Sequence, residues 1–293
     1  MDLQQLRYVV AVAELGSFTR AAERCFVVQS ALSHQIARLE QELGARLFAR
    51  TSRRVRLTTA GDAFLPAARQ CLAAAERARA EVAAATGEIR GRLAVGVIPT
   101  VAAVDVPAVL REFHDVHPQV RVSLGVGTSY QLIEKVTQGI LDVAFLGLPT
   151  GTGVDGVHDH VLADDRLVAV VAPGHPLAGR KRVTLKRLTD EVFVDFAAGG
   201  AGRAQSDQAF AAAGLRRDVA FEVTDAHLMA RLIHQGLGIG MLPSTFAPQL
   251  PDLVAVPVTA APTRREHLIW SRFDPAPAAL AFLQQLGVAQ EAR

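Results

Sequence analysis

The chain has 293 residues, half of them hydrophobic and a fifth charged, which suits two or three domains with a sizeable core. No apolar run reaches the roughly 18 residues of a membrane-spanning helix, "MDLQQLRYVV" does not read as a secretory signal, and two cysteines, Cys25 and Cys71, exclude a disulfide framework. A cytoplasmic protein with no membrane partner is expected. The net charge of +2 is unevenly spread: residues 1–60 carry nine arginines against five acids, whereas 61–89 and 90–293 are each one charge negative. A small basic module joined to a neutral body is the electrostatic footprint of nucleic-acid binding.

In chain order, Leu3, Leu6, Val10 and Ala13 repeat at helical spacing and Gly16 stops the run. Ser17 is a helix N-cap for "FTRAAERC", with Phe18, Ala21, Ala22 and Cys25 on one side. "VVQSALSHQIARLEQELG" (27–44) predicts a third helix. Its Leu32, Ile36, Leu39 and Leu43 face a core, and its first turn offers short hydrogen-bonding side chains. Two short helices with a tight connection, following a first, make a helix-turn-helix. "LFARTSRRVRLT" then reads as two strands around a turn carrying Arg53 and Arg54, a wing.

From Thr59 to about Thr86 the sequence predicts one long helix, interrupted only by Pro66 near its start. Phe64, Ala68, Cys71, Ala75, Ala78 and Val82 alternate spacings of four and three, a heptad seam that favours pairing with a second copy over ordinary core packing. "GEIRGR" reads as a hinge. Strands and helices then alternate: "RLAVGVI", "VDVPAVLREFHDVHP", "VRVSLGVG", "SYQLIEKVTQG" and "LDVAFLGL" give βαβαβ, hence a parallel sheet with helices on its faces. "RLVAVVAP", "EVFVDF", "RAQSDQAFAAAG", "VAFEV", "AHLMARLIHQG" and "GIGML" repeat the rhythm in a second lobe. "HLIWS" and a helix over about 275–289 return to the first.

The run "GSFTRAAERCFVVQSALSHQIARLEQELGARLFARTSRRVRLTTAG" resembles the N-terminal signature of LysR-type transcriptional regulators. The match is dense over residues 3–65, and the two-lobed remainder follows the family layout, including "GLGIGMLP" at 236–243. The resemblance implies a winged helix-turn-helix domain with a long linker helix, then a two-lobed α/β effector domain of the periplasmic-binding-protein type. The corresponding limits are 1–58, 59–89, 90–161 with 267–293, and 162–266. Implied partners are double-stranded DNA with dyad-symmetric sites, a small-molecule effector, a second copy of the chain in a homodimer or homotetramer, and RNA polymerase as a candidate.

A major groove admits one α-helix and displays donors, acceptors and thymine methyls. Gln29 suits adenine edges, Ser30 and Ser33 donate or accept, and Leu32 gives shape and methyl contacts. In the family, positions matching Gln29, Ser30, Ser33 and His34 face DNA; arginine is usual where His34 stands, so that contact is either lost or made pH-sensitive. Ser17 and Thr19, at a helix start, suit phosphate, and Arg53 and Arg54 suit phosphate or the minor groove. Ligands of α/β lobes sit beside strand ends and helix starts. There the sequence offers Thr100, Thr128, Ser129, Phe196, Arg203 and Thr224, a set of hydroxyls and one cation that favours a small anion.

No metal site, cofactor or enzyme is expected: G-x-S-x-G, H-E-x-x-H and G-x-x-x-x-G-K-[ST] are all missing. "HDH" at 158–160 reads as a crossover strand, and both cysteines fall on faces expected to pack. The alternatives are a constitutive DNA-binding regulator with an empty pocket, and a solute-binding protein or enzyme of the same α/β fold.

Overall fold

In a computed structural model, the structure describes residues 1–50, 55–272 and 275–288. The chain forms two compact units, Met1–Gly91 with 138–140, and Arg92–Thr137 with Leu141–Arg293.

The first unit opens with α1 (Leu3–Leu15), α2 (Phe18–Arg24) and α3 (Gln29–Leu43). Asp2 and Gln5 close a capping box at the start of α1, two orphan amides satisfied reciprocally. Ser17 caps α2, its Oγ accepting from the Arg20 amide at 3.3 Å. Gly44 ends α3 at φ +66°, a left-handed position that a side chain resists. Leu32, Ile36 and Leu39 of α3 are fully buried against Val9, Val12 and Ala21, so the three helices share one core. Strands β1 (Phe48–Arg50) and β2 (Val55–Leu57) pair antiparallel. Glu40 of α3 fixes the entry to the wing: its Oε1 accepts from the amides of Leu47 (2.8 Å) and Phe48 (3.2 Å). The wing tip, with Arg53 and Arg54, lies outside the described residues.

Helix α4 (Thr59–Ala85) is continuous through Pro66, two turns in, where the missing amide leaves the Asp62 carbonyl without its intrahelical donor. Its first half packs on the winged helix through Gly61, Leu65 and Ala68. Beyond that, the expected seam is bare in the single chain: Cys71 and Ala78 are exposed and Val82 is 69% exposed. Cys71 thus packs on nothing within its own chain, and Cys25 is half-buried.

The second unit begins with β3 (Gly91–Val97), whose first residue closes the first, then α5 (Val106–Val116), β4 (Val120–Val126), α6 (Ser129–Thr137) and β5 (Val143–Pro149). β3 and β5 are parallel, as the alternation predicts. A 15-residue strand, β6 (Val157–Val171), follows, taking in both "HDH" and "RLVAVV". Then come β7 (Val183–Thr184), α7 (Leu185–Leu188), β8 (Val192–Phe196), α8 (Ala201–Ala212), β9 (Asp218–Val223), α9 (Ala226–His234) and β10 (Gly240–Pro243). A strand the sequence reading did not separate, β11 (Val254–Thr259), precedes β12 (Thr263–Ser271), and α10 (Pro277–Gln285) ends the described chain.

One strand, β6, runs through both halves of this unit. Residues 157–166 of β6 pair with β12, whereas 167–171 pair with β10 and β11, all antiparallel. β12 also pairs antiparallel with β5. The sheets are therefore mixed rather than wholly parallel, because the return strand arrives from the opposite direction. The expected lobe limits at 161/162 and 266/267 fall inside β6 and β12. Strand β6 contributes to two apolar clusters, through Val157 to one around Leu146, Leu148 and Ile269, and through Val168 and Val170 to another around Met229.

Candidate functional site

Helix α3 separates its roles by face. Gln29, Ser30 and His34 are exposed and Ser33 is half-buried, opposite the buried leucine stripe. Gln29 Nε2 donates to Ser33 Oγ at 2.8 Å, one helical turn on, so the amide is oriented before any partner arrives. Leu32 does not belong to this face. It is 0% exposed in the three-helix core, which corrects the expectation that it contacts DNA: a side chain on the inner stripe of an amphipathic helix cannot reach the outer one. Thr19 is exposed in the first turn of α2, beside the cap formed by Ser17. Phe26 between α2 and α3 is 95% exposed, in left-handed conformation at φ +56°. Nothing in the sequence reading singled it out.

In the second unit the strand-to-helix turns converge around β5. Ser129 Oγ donates to the Gly147 carbonyl (2.9 Å) and accepts from its amide (3.2 Å), tying the start of α6 to β5. Thr128 is the exposed cap of α6, exchanging hydrogen bonds with Gln131. The start of α8 meets it from the other half: a Cβ at Gly200 would lie 3.4 Å from Thr128 Cγ2, and Ala201 is buried in the cluster with Leu146 and Leu148. Gln205, one turn further along α8, donates to the Gly147 carbonyl at 3.4 Å. Phe196, half-buried at the end of β8, lies against Gly202 at the same helix start. Thr100, Thr128, Ser129 and Phe196 are thus gathered where α8 closes on β5.

Thr224 and Arg203 stand differently. Asp225, not Thr224, caps α9, and Thr224 is exposed beside it. The Arg203 guanidinium is held by Asp207 (3.0 Å), Glu222 (3.0 Å) and the Phe196 carbonyl (3.1 Å). Its Nε and Nη1 are engaged by two acids and a carbonyl, so its charge is already neutralised within the second unit rather than standing free for an anion as expected. Behind it Asp195 is buried against Arg217 at 2.6 Å, and burial pushes its carboxyl above the usual range despite that neighbour.

The group the sequence reading missed is a buried ion pair on β12. Arg264 is 2% and Glu266 1% exposed. Arg264 Nη1 donates to Thr100 Oγ1 (2.9 Å), Nη2 to the Thr100 carbonyl (3.0 Å) and also to Glu266 Oε1. Glu266 Oε2 accepts from the amides of Ala102 (3.1 Å) and Ala103 (3.0 Å). Gly147 leaves the room: a Cβ there would lie 2.9 Å from Arg264 Nη1. Burial lowers the Arg264 pKa and the Glu266 charge partly restores it. Across the strand pair, Asp165 sits opposite Arg264. Burial alone would raise its pKa, but hydrogen bonds from Ser244, Thr245 and two backbone amides hold it below the usual carboxylate value. The signal was in the sequence as "RRE", where residues at i and i+2 of a strand share a face; without the burial it reads as a solvated edge.

Family comparison decides what this arrangement belongs to. Residues 3–62 match the bacterial regulatory helix-turn-helix protein, lysR family, and residues 86–290 match the LysR substrate binding domain. The chain belongs to the LysR family. It is 30% identical over 240 residues to the HTH-type transcriptional activator CmpR of Synechocystis sp., covering 82% of this chain and 78% of that one. Among solved structures it resembles a cysteine-to-aspartate variant of full-length OxyR from Pseudomonas aeruginosa (TM-score 0.71, 26% identity, 100% of this chain and 94% of that chain). It also resembles full-length CbnR in complex with its target DNA (TM-score 0.69, 27% identity, 99% and 100%). As a LysR-type protein the chain is a DNA-binding transcriptional regulator with an effector-binding domain, and not an enzyme. Among the described residues no helix is long and apolar enough to cross a membrane.

Proposed function

We propose that this LysR-type regulator reads a dyad-symmetric operator through α3 and changes its hold on DNA when a small molecule enters the cleft beside Thr100 and Thr128. We divide the chain accordingly into a winged helix (1–58), a linker helix (59–89), and two lobes (90–161 with 267–293, and 162–266). The observation that carries the reading is the division of α3: Leu32, Ile36 and Leu39 are in the core while Gln29, Ser30 and His34 face outward with no apolar work to do. Gln29, Ser30, Ser33 and His34 supply base contacts, and Ser17, Thr19, Arg53 and Arg54 supply phosphate contacts. Ser129, Phe196 and Thr224 border the effector cleft. The bare second half of α4, with Cys71, Ala78 and Val82 exposed, supports pairing with a second copy, as a homodimer that assembles further into a tetramer. RNA polymerase is the partner through which promoter output changes, and such a regulator works in the cytoplasm beside the DNA.

Coupling between effector and DNA is reciprocal, so an effector that shifts DNA affinity must itself bind one DNA-bound state more tightly. The test is a genomic-fragment pull-down with sequencing, wild type beside the double variant Gln29→Ala/Ser33→Ala. Enrichment of a few dyad-containing intergenic fragments by wild type alone supports the reading. Equal enrichment by both proteins refutes it, since specificity would then lie outside the outer face of α3.

A further inference from the structure

Glu266 occupies a seat built for a carboxylate. Its donors are the Arg264 guanidinium and two successive backbone amides, Ala102 and Ala103, in the turn after β3. Successive amides and a guanidinium are a recurrent anion cradle, and nothing in that geometry requires the anion to be part of the chain. Arg264 does not depend on Glu266 for its position, because Thr100 Oγ1 and the Thr100 carbonyl hold its two Nη groups from the other side. Glu266 lies two residues along the same strand, so its side chain can leave without breaking a strand pairing. Ala103 is exposed and Ala102 half-buried, so the turn that supplies the two amides borders solvent while Glu266 itself is buried.

The resident carboxylate also fits the seat incompletely. It meets Nη2 of Arg264, while the buried Nε has no hydrogen-bond partner among the described residues. A carboxylate free to orient itself lies side-on to a guanidinium and accepts from Nε and Nη2 together, the stronger bidentate arrangement. A buried donor left unmet costs on the order of 1–3 kcal/mol. The local charge disfavours both occupants at once: with Asp165 already opposite Arg264, an external carboxylate beside Glu266 would set three acids around one guanidinium.

We propose that Glu266 is an internal stand-in for the effector's carboxylate, and that the cleft takes a small carboxylate that displaces Glu266 from Arg264 and from the Ala102 and Ala103 amides. This rests on the effector-responsive reading above and adds to it the ligand's chemical class and the group the ligand must expel. Displacement frees the turn after β3 from the return strand, which gives ligand entry a mechanical consequence.

The experiment uses the full-length protein, wild type and Glu266→Gln, titrated calorimetrically with acetate, benzoate and succinate, each beside its amide. Glutamine keeps the shape and an acceptor for the Ala102 and Ala103 amides but withdraws the competing charge. At least one carboxylate binds Glu266→Gln about tenfold more tightly than wild type, the matching amide gains nothing, and adding Arg264→Lys or Arg264→Gln removes the gain. The proposal is overturned when no carboxylate binds, when Glu266→Gln binds none more tightly than wild type, or when the amides gain equally. Retention of operator fragments is scored on the same preparations. A null titration with fragments retained overturns the stand-in alone, whereas wild type that retains no fragment either by itself or with cell extract added overturns the operator reading with it.

Discussion

Replacing Leu32 with alanine separates packing from recognition on one helix. Leu32 is 0% exposed and shares the winged-helix core with Val9, Val12, Ile36 and Leu39. Truncating a fully buried leucine costs about 2–5 kcal/mol, lost transfer energy plus the cavity that remains. A unit of this size loses about 4–8 °C per kcal/mol, so the winged-helix transition falls by roughly 10 °C or more. Gln29→Ala, three residues away, has the opposite profile. Its hydrogen bond to Ser33 is exposed, so stability moves by no more than about 0.5 kcal/mol. Discrimination between operator and mismatched DNA, in contrast, drops by about 1–3 kcal/mol. The assay is calorimetric melting of the free protein together with fluorescence anisotropy on the fragment recovered by pull-down. At a temperature where both variants are folded, Leu32→Ala retains the operator preference and Gln29→Ala has lost it. A Leu32→Ala protein that melts with wild type yet no longer prefers its operator refutes the assignment of faces.

Three further outcomes are expected. Glu40→Ala removes the acceptor for the Leu47 and Phe48 amides, costing about 1–3 kcal/mol in urea unfolding of the winged-helix unit and weakening all DNA sequences alike. Gly147→Ala sets a methyl 2.9 Å from both Arg264 Nη1 and Ile98 Cδ1, destabilising the second unit by about 1–3 kcal/mol in the same assay. Asp165 has a folded pKa below its usual 3.8, so its contribution to stability is fully present above that value and is lost as pH falls through the folded one; the urea midpoint of Asp165→Asn therefore falls less than that of wild type between pH 5 and pH 3, and parallel curves refute the assignment.

What the sequence made legible was set by periodicity. Leu32, Ile36 and Leu39 lie on the predicted stripe because helical spacing alone decides which residues of α3 share a face. The same spacing should have removed Leu32 from the DNA-facing set, since one side chain cannot serve two faces. Helix α4 was legible for the same reason, and its bare Val82 and Cys71 follow from a pattern whose partner is another molecule. Alternation of strand and helix located the turns at Thr100, Thr128 and Phe196. It did not reveal that β6 continues unbroken from Val157 to Val171, because a change of pairing partner at Arg166/Leu167 leaves no mark on the pattern of one strand.

The cation of the cleft was illegible for a different reason. Position in a helix start made Arg203 attractive, but charge is a property of the neighbourhood: Asp207 and Glu222 reach it from α8 and β9 and take its donors. Arg264 sits in a charged triplet on a strand, which by local pattern is a solvated edge, and it is buried only because β5 and β6 flank β12 on both sides. A buried guanidinium must be neutralised nearby, so the requirement for Glu266 follows from the burial and not from the sequence around it. On the displacement proposed above, an incoming carboxylate meets the same requirement: it replaces Glu266 beside Arg264, and its affinity is the difference between two anions competing for the guanidinium and the Ala102 and Ala103 amides.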